Sequence, residues 1–498
     1  MDLFHNLIFG FGVALSLQNL LYCLIGVTVG TLIGVLPGIG PLGTIAILMP
    51  ITYGIAPVGA LIMLAGIYYG AQYGGSTTAI LVNLPGETSA VVTCIDGYQM
   101  ARQGRAGPAL AIAAIGSFFA GTVGTLLIAL FGPPLADVAL KFGSPEYFSL
   151  MLMGLVAAAV LAQGDMVKSL AMVVTGLLLG LVGSDVNTGV QRFSFGFPEL
   201  SDGIGFVVVA VGVFAIGEII TNLGDKEERR VFTATVTSLF PSKEDMKRSI
   251  GPILRGTGIG SFFGVLPGTG PAIASFASYM LEKKLAADPS RFGRGAIEGV
   301  AAPESANNAD AQCKFIPMLT LGLPASGVMA LMLGALTIQG IQPGPEVMTQ
   351  RPELFWGLIA SMWIGNLMLV VLNLPLIGIW VKLLTVPYRL LFPAIMAFSA
   401  IGIYSVNNSS FEIYLTALFG LFGFICMKLG FPPAPLLLGY VLGPMMEENL
   451  RRSMLMSGGD PSVFVTRPIS LAFIVATALI LVVMILPAVR QRRLEIAD

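Results

Sequence analysis

GTLIGVLPGIGP, residues Gly30 to Pro41, recurs as GSFFGVLPGTGP, residues Gly260 to Pro271. Eight of the twelve positions are identical, at an offset of 267 − 37 = 230. Proline removes a backbone donor and disfavours helix for the residue before it. Glycine lets the chain turn sharply and exposes its peptide groups. Pro37, Gly38, Gly40 and Pro41 are therefore expected to unwind a helix, and Pro267, Gly268, Gly270 and Pro271 to do the same. Unwound backbone at membrane depth is tolerated only where it is buried in protein or lines a wet cavity. There its carbonyls can coordinate a cation such as Na⁺. Backbone around Gly38, Gly40, Gly268 and Gly270 is expected to help bind that cation. A kink that merely lets helices pack closely is the simpler reading of one copy, and it explains a matched pair less well.

The composition agrees that these breaks lie in a bilayer. The chain has 498 residues, 55% hydrophobic and 11% charged, with a mean hydropathy of +0.84. Soluble domains carry about 25% charge. No charged residue occurs between Asp2 and Glu87. The reading is an all-α polytopic membrane protein with about ten to twelve membrane segments, some of them half-spans. A net charge of −1 points to no nucleic-acid partner. The single histidine, His5, lies far from any motif, which argues against Ser-His-Asp, Cys-His and zinc chemistry. Cys23, Cys94, Cys313 and Cys426 are scattered and read as small packing residues. The start lacks Lys or Arg before its apolar run, so no cleaved secretory signal is expected.

A second echo follows the first. Asn83-Leu84-Pro85-Gly86 pairs with Gly322-Leu323-Pro324-Ala325, at an offset of 324 − 85 = 239. The chain divides into a first membrane repeat over 1–222, a cytoplasmic linker over 223–250, a second membrane repeat over 251–450, and a final helix with a cytoplasmic tail over 451–498. The linker carries Asp225 to Arg230 and Lys243 to Arg248, and the tail carries Arg490, Arg492 and Arg493. Basic loops fall at opposite places in the two halves: Arg102 and Arg105 follow Pro85, whereas Lys283, Lys284, Arg291 and Arg294 follow Pro271. Under the positive-inside rule, the two repeats are then inverted in the bilayer. Inverted repeats with interrupted helices are a recurring build of secondary transporters.

Two unusually polar segments follow the breaks. The first, Tyr73 to Ser89, contains Ser76, Thr77, Thr78 and Asn83. The second runs from Ala302 to Ser326 and contains Ser305, Asn307, Asn308 and Lys314. Hydroxyls and amides bind carboxylate oxygens through their hydrogens and cations through their oxygens. These eight residues are expected to hold an anionic solute. Helix–helix hydrogen bonding is the competing reading, and it is the one adopted for Asn366 and Asn373. Lys314 has alternatives in a pair with Asp310 or in snorkelling to the interface. Glu87, Glu304 and Asp310 are candidates to support cation binding, or loop-end charges. A remote alternative is an intramembrane aspartyl protease built on Asp165 and Asp185; a channel or partner-independent carrier of similar fold is another.

GVLPGIGP, YGGSTTAILVNLPGE, YQMARQGRAGPAL, APESANNA and IPMLTLGLP resemble the large membrane subunit of the tripartite tricarboxylate transporter family. The resemblance spans nearly the whole chain. It implies no enzyme but a multi-pass permease of the bacterial inner membrane, driven by an ion gradient, Na⁺ before others. It implies a small membrane subunit and a periplasmic solute-binding protein as partners, and a di- or tricarboxylate or related acid as solute. Asp310, Gln312, Cys313 and Lys314 stand where the family usually has small residues, and Ala325 replaces a turn glycine. These departures lie beside the expected cavity, so the resemblance does not extend to citrate itself.

Overall fold

The computed structural model describes residues 3–36, 40–83, 86–162, 165–185, 188–223, 239–383 and 388–485, and they are predominantly helical. The first half opens with α1 (Leu3–Ala14), α2 (Leu17–Val35), α3 (Pro41–Thr52) and α4 (Pro57–Val82). A single turn at Thr88–Ala90 leads into α5 (Val91–Arg102), α6 (Ala106–Ala139), α7 (Ser144–Leu161) and α8 (Met166–Gly180). The half closes with α9 (Phe206–Ala210), a π-helical stretch (Val211–Ile216) and α10 (Gly217–Leu223), which run on without a break. The second half holds α11 (Lys243–Val265), α12 (Pro271–Leu285), α13 (Glu298–Cys313), α14 (Phe315–Leu321), α15 (Gly327–Ile338), α16 (Glu346–Gln350) and α17 (Pro352–Asn373). Then come α18 (Ile377–Leu383), α19 (Tyr388–Asn407), α20 (Ser410–Lys428), α21 (Ala434–Met456), α22 (Val463–Thr466) and α23 (Pro468–Ile485).

Among the described residues, four helices are long and apolar enough to cross a bilayer: α2, α6, α17 and α20. Seven shorter apolar helices accompany them. A hydrocarbon core about 30 Å thick needs about 20 helical residues.

Glycine spacing sets the closest helix pairs. A Cβ on Gly26, Gly30 or Gly34 of α2 would sit 2.3–2.4 Å from the backbone oxygen of Met63, Ile67 or Ala71 on α4. A Cβ on Gly256, Gly260 or Gly264 of α11 would sit 2.1–2.7 Å from the backbone oxygen of Ala302, Ala306 or Asp310 on α13. Only glycine permits such backbone contact, and close approach is what holds helices together where lipid offers no hydrophobic drive. The second set of glycines lies 230 residues after the first, and the second set of carbonyls lies 239 after the first. These are the two offsets at which the motifs recur. On the facing helices the match is looser: Gly66, Gly70 and Gly74 of α4 correspond to Ser305, Ala309 and Cys313 of α13.

Both breaks end one helix and start the next on proline, with Pro41 opening α3 and Pro271 opening α12. Pro37, Gly38 and Ile39 lie outside the described residues. In the second break, Gly268 has φ +82 and donates its N–H to the Ala325 carbonyl at 3.0 Å. A side chain there would strike the backbone of Ala157 and Ala158 in α7. Two residues past Ala325, Gly327 meets Leu42 of α3. The turn before α15 therefore links the second break to the helix that follows the first. Reciprocally, α12 packs on the Thr88–Ala90 turn of the first half.

The expected linker extended to residue 250, whereas α11 begins at Lys243. A capping box explains the earlier start. The Asp245 N–H donates to Ser242 Oγ and the Ser242 N–H donates to Asp245 Oδ2, both at 3.1 Å. Arg105 pairs with Asp245 at 2.6 Å and ties this helix start to the first half. Residues 224–238 and the tail arginines Arg490, Arg492 and Arg493 lie outside the described residues.

Candidate functional site

A narrow cavity opens between α4, α6 and α17, lined by Tyr73, Ser76, Thr77, Leu110, Ala113, Ala114, Ser117 and Asn373. It has room for about one water-sized group. The Tyr73 hydroxyl and the Asn373 Oδ1 are buried without a protein partner. Buried polar atoms are nearly always satisfied, so two unsatisfied ones on one cavity are unusual. Ser76 and Thr77 also bond back to the carbonyls of Gln72 and Tyr73, one turn earlier.

Behind the cavity wall, α13 brings the second polar segment against the first. Asn308 donates to Ser117 Oγ at 2.7 Å and to the Glu304 carbonyl at 3.1 Å. The Glu304 side chain is fully buried and accepts the hydroxyls of Ser76 on α4 and Thr93 on α5. Glu87, partly exposed, accepts the Ser89 hydroxyl and the Asn307 amide, the latter at 3.2 Å. The two halves therefore join through a polar seam as well as through shared apolar clusters.

Other expected site residues are placed elsewhere. Thr78 bonds the carbonyls of Gly75 and Gly34, so it braces α4 on α2. Asn83 is exposed and left-handed, with φ 57, where it ends α4. Ser305 bonds Ala301 one turn back and faces Gly116 of α6. Lys314 is completely buried and its ammonium pairs with Asp310, four residues earlier. It is not among the residues that line the cavity.

The glycine positions separate as well. Gly40 donates its N–H to Glu218 of α10 at 3.1 Å, so that peptide turns its hydrogen, not its oxygen, to a charged group. Glu218 follows the π-helical stretch directly, a device that often re-aims side chains at functional sites. Gly268 is spent on the turn at Ala325. Gly270 has open space around it at the head of α12. Gly38 is outside the described residues.

Four residues were not expected from the sequence to belong to the site. Tyr73 and Asn373 face the cavity, Ser117 holds Asn308, and Thr93 holds Glu304. Thr93 and Ser117 are isolated polar residues in otherwise ordinary helices, and nothing local marks them. Asn373 was expected to make helix–helix hydrogen bonds. Its Nδ2 does reach Thr31 of α2 at 3.5 Å, but its Oδ1 is left free. Asn366 was read the same way, yet neither end of its amide has a hydrogen-bond partner.

The protease alternative fails on geometry. Asp165 caps the start of α8 through the N–H groups of Val167 and Lys168. Asp185 lies beyond the other end of that helix and pairs with Arg451 at 2.7 Å. Fifteen helical residues separate them, a span of about 22 Å, far too long for two carboxylates sharing one proton. All four cysteines are free thiols.

The model of the tripartite tricarboxylate transporter TctA family matches residues 20–438 of the chain. An uncharacterized 52.8 kDa protein in the TAR-I ttuC' 3' region of Agrobacterium vitis is 60% identical over 493 residues, 99% of this chain and 98% of that protein. An uncharacterized protein in the TAR-II ttuC' 3' region of the same organism is 58% identical over 234 residues, 47% of this chain and 97% of that protein. No solved structure matches. On the family model and on that near full-length identity, the chain belongs to the tripartite tricarboxylate transporter TctA family.

Proposed function

We propose that the chain is the permease subunit of a binding-protein-dependent secondary transporter of the bacterial inner membrane. It imports a carboxylate solute, a di- or tricarboxylate or related organic acid, coupled to a cation gradient, Na⁺ before H⁺. A small membrane subunit and a periplasmic solute-binding protein complete the system. The observation that carries this reading is membership of the TctA family over residues 20–438; the cavity at the polar seam, which in this conformation admits only a water-sized group, marks where a solute would have to open the structure. The free Tyr73 hydroxyl of that cavity and the Ser117 hydroxyl, which accepts from Asn308 and keeps its own hydrogen, suit carboxylate oxygens, whereas the Ser76 and Thr77 hydrogens go to Glu304 and the Tyr73 carbonyl. A solute is one partner able to satisfy atoms the protein leaves open.

The inverted-repeat reading draws support from packing. α2 on α4 and α11 on α13 use glycines and carbonyls at the two motif offsets, 230 and 239. Helices after each break lean on the polar turn of the opposite half. Two such units give a carrier two related arrangements around one site, the logic of alternating access.

The test is uptake of radiolabelled di- and tricarboxylates by proteoliposomes holding both membrane subunits, with purified binding protein outside. Uptake that needs the binding protein and falls when choline replaces Na⁺ is the expected result. Cation-independent uptake removes the coupling. Absence of carboxylate uptake across the panel ends the carrier reading.

A further inference from the structure

Among the described residues, several buried carboxylates have a counter-charge, and Asp96 is met by three backbone N–H groups and a tyrosine hydroxyl, but Glu304, and Glu87 at its rim, have neither. Lys314 neutralises Asp310, Arg467 neutralises Glu146, and Arg255 neutralises Glu282. Among the described residues, neither Glu87 nor Glu304 forms an ion pair; their partners are neutral hydroxyls and one amide. The two carboxylates are also close. Glu304 and Asn307 stand three apart on α13, which puts them on one face, and Asn307 donates to Glu87. The Glu87 side chain packs over Gly75, next to the Ser76 that donates to Glu304. Two negative charges in so dry a place are costly without a cation.

A second observation points to what is missing. Asn307 is 1% exposed, and with its Nδ2 donated to Glu87 the Oδ1 of the same amide has no partner. The cluster therefore offers two carboxylates and one unpaired amide oxygen, all hard donors. Glu87 stands at the partly exposed rim and Glu304 behind it, which makes an entry path.

We propose that Glu87, Glu304 and Asn307 Oδ1 bind a monovalent cation, Na⁺, at the seam between α4, α5 and α13. Its role as the coupling ion rests on the carrier reading above; its existence does not. Ser76 joins the two functions, since it lines the solute cavity and donates to Glu304. A cation drawn to Glu304 thus shifts the hydrogen-bonding of the cavity wall, and by linkage the solute shifts the cation's affinity equally.

The direct test is ²²Na⁺ binding to the purified full-length protein by scintillation proximity, with no solute and no binding protein. Saturable binding is expected, displaced by unlabelled Na⁺ and not by choline or by equal concentrations of Mg²⁺ or Ca²⁺. Glu304→Gln and Glu87→Gln should each weaken it at least tenfold, and Asn307→Leu severalfold. Glu346→Gln, an exposed carboxylate elsewhere, should leave it unchanged. Glu87→Gln, at the rim, keeps the test decisive if Glu304→Gln fails to fold. Unchanged affinity in monodisperse Glu87→Gln, displacement by Mg²⁺ or Ca²⁺ at equal concentration, or no saturable ²²Na⁺ binding by the wild type overturns the site. Proteoliposome uptake is read separately. A protein that binds ²²Na⁺ here but carries no carboxylate keeps this site and loses the carrier reading.

Discussion

The Ser76 hydroxyl donates to the Glu304 carboxylate at 2.5 Å, across 228 residues of sequence and from one half of the chain to the other. Ser76 also lines the cavity between α4, α6 and α17. One hydroxyl therefore touches both the cavity and a fully buried carboxylate that has no counter-charge among the described residues.

Removing the free donor in the cavity should impair solute handling without impairing folding. The Tyr73 hydroxyl has no protein partner, so Tyr73→Phe forfeits no internal hydrogen bond. A hydrogen bond to a charged group contributes about 1.5–3 kcal/mol, equivalent to about 10- to 100-fold in affinity. Tyr73→Phe should raise the KM for carboxylate uptake by that order with an unchanged melting temperature in detergent. An unchanged KM would place the solute elsewhere.

Gly260 and Gly258 sit on the same helix and should respond oppositely. A Cβ on Gly260 would lie 2.1 Å from the Ala306 carbonyl, whereas nothing lies within 4 Å of one on Gly258. Gly260→Leu should cost about 1–3 kcal/mol or more and sharply lower the yield of monodisperse protein. Gly258→Ala should be neutral or raise stability by about 0.5–1 kcal/mol, because alanine favours helix. Fluorescence-detected thermal unfolding of both variants checks the contrast.

Asp310 and Lys314 should be worse broken than absent. Both are fully buried, and each neutralises the other. Asp310→Asn or Lys314→Met alone leaves a buried charge, at a cost of about 3–5 kcal/mol. The double variant Asp310→Asn with Lys314→Met should recover much of that loss. A double-mutant cycle on melting temperature reads the coupling; additive losses would show that the pair does not exist in the folded protein.

Asp96 holds the approach to α13. Its Oδ1 accepts the N–H groups of Gly293, Gly295 and Ala296 at 2.8–2.9 Å, and its Oδ2 accepts the Tyr279 hydroxyl at 2.9 Å. Asp96→Leu strands these buried donors at about 1–3 kcal/mol each. Limited proteolysis should then cut near Arg291 or Arg294 faster than in the wild type. Tyr279→Phe, which removes a single partner, should show a small effect.

Much of this architecture is legible in the residues. The GVLPGxGP copies announce two interrupted helices because proline and glycine act locally on the backbone. The offsets 230 and 239 anticipate the helix packing, because glycines at every fourth position present one continuous groove to a neighbour whatever the rest of the fold does. The polar segments also announce themselves, since Ser76, Asn307 and Asn308 are conspicuous in apolar surroundings.

Which polar group meets which was decided only by the tertiary structure. Asn83 and Ser76 stand in the same motif, yet a left-handed turn sends Asn83 outward while Ser76 reaches Glu304. Asn373, one polar residue in a long apolar helix, lines the cavity because α17 packs beside α4 and α6. Lys314 is sealed by Asp310, and Glu218 reaches Gly40 from a helix 178 residues away. Local chemistry determines where the chain breaks and which faces can approach. Hydrogen-bond partners in a dry interior are fixed by packing among distant segments, and that information is not carried by any single stretch of sequence.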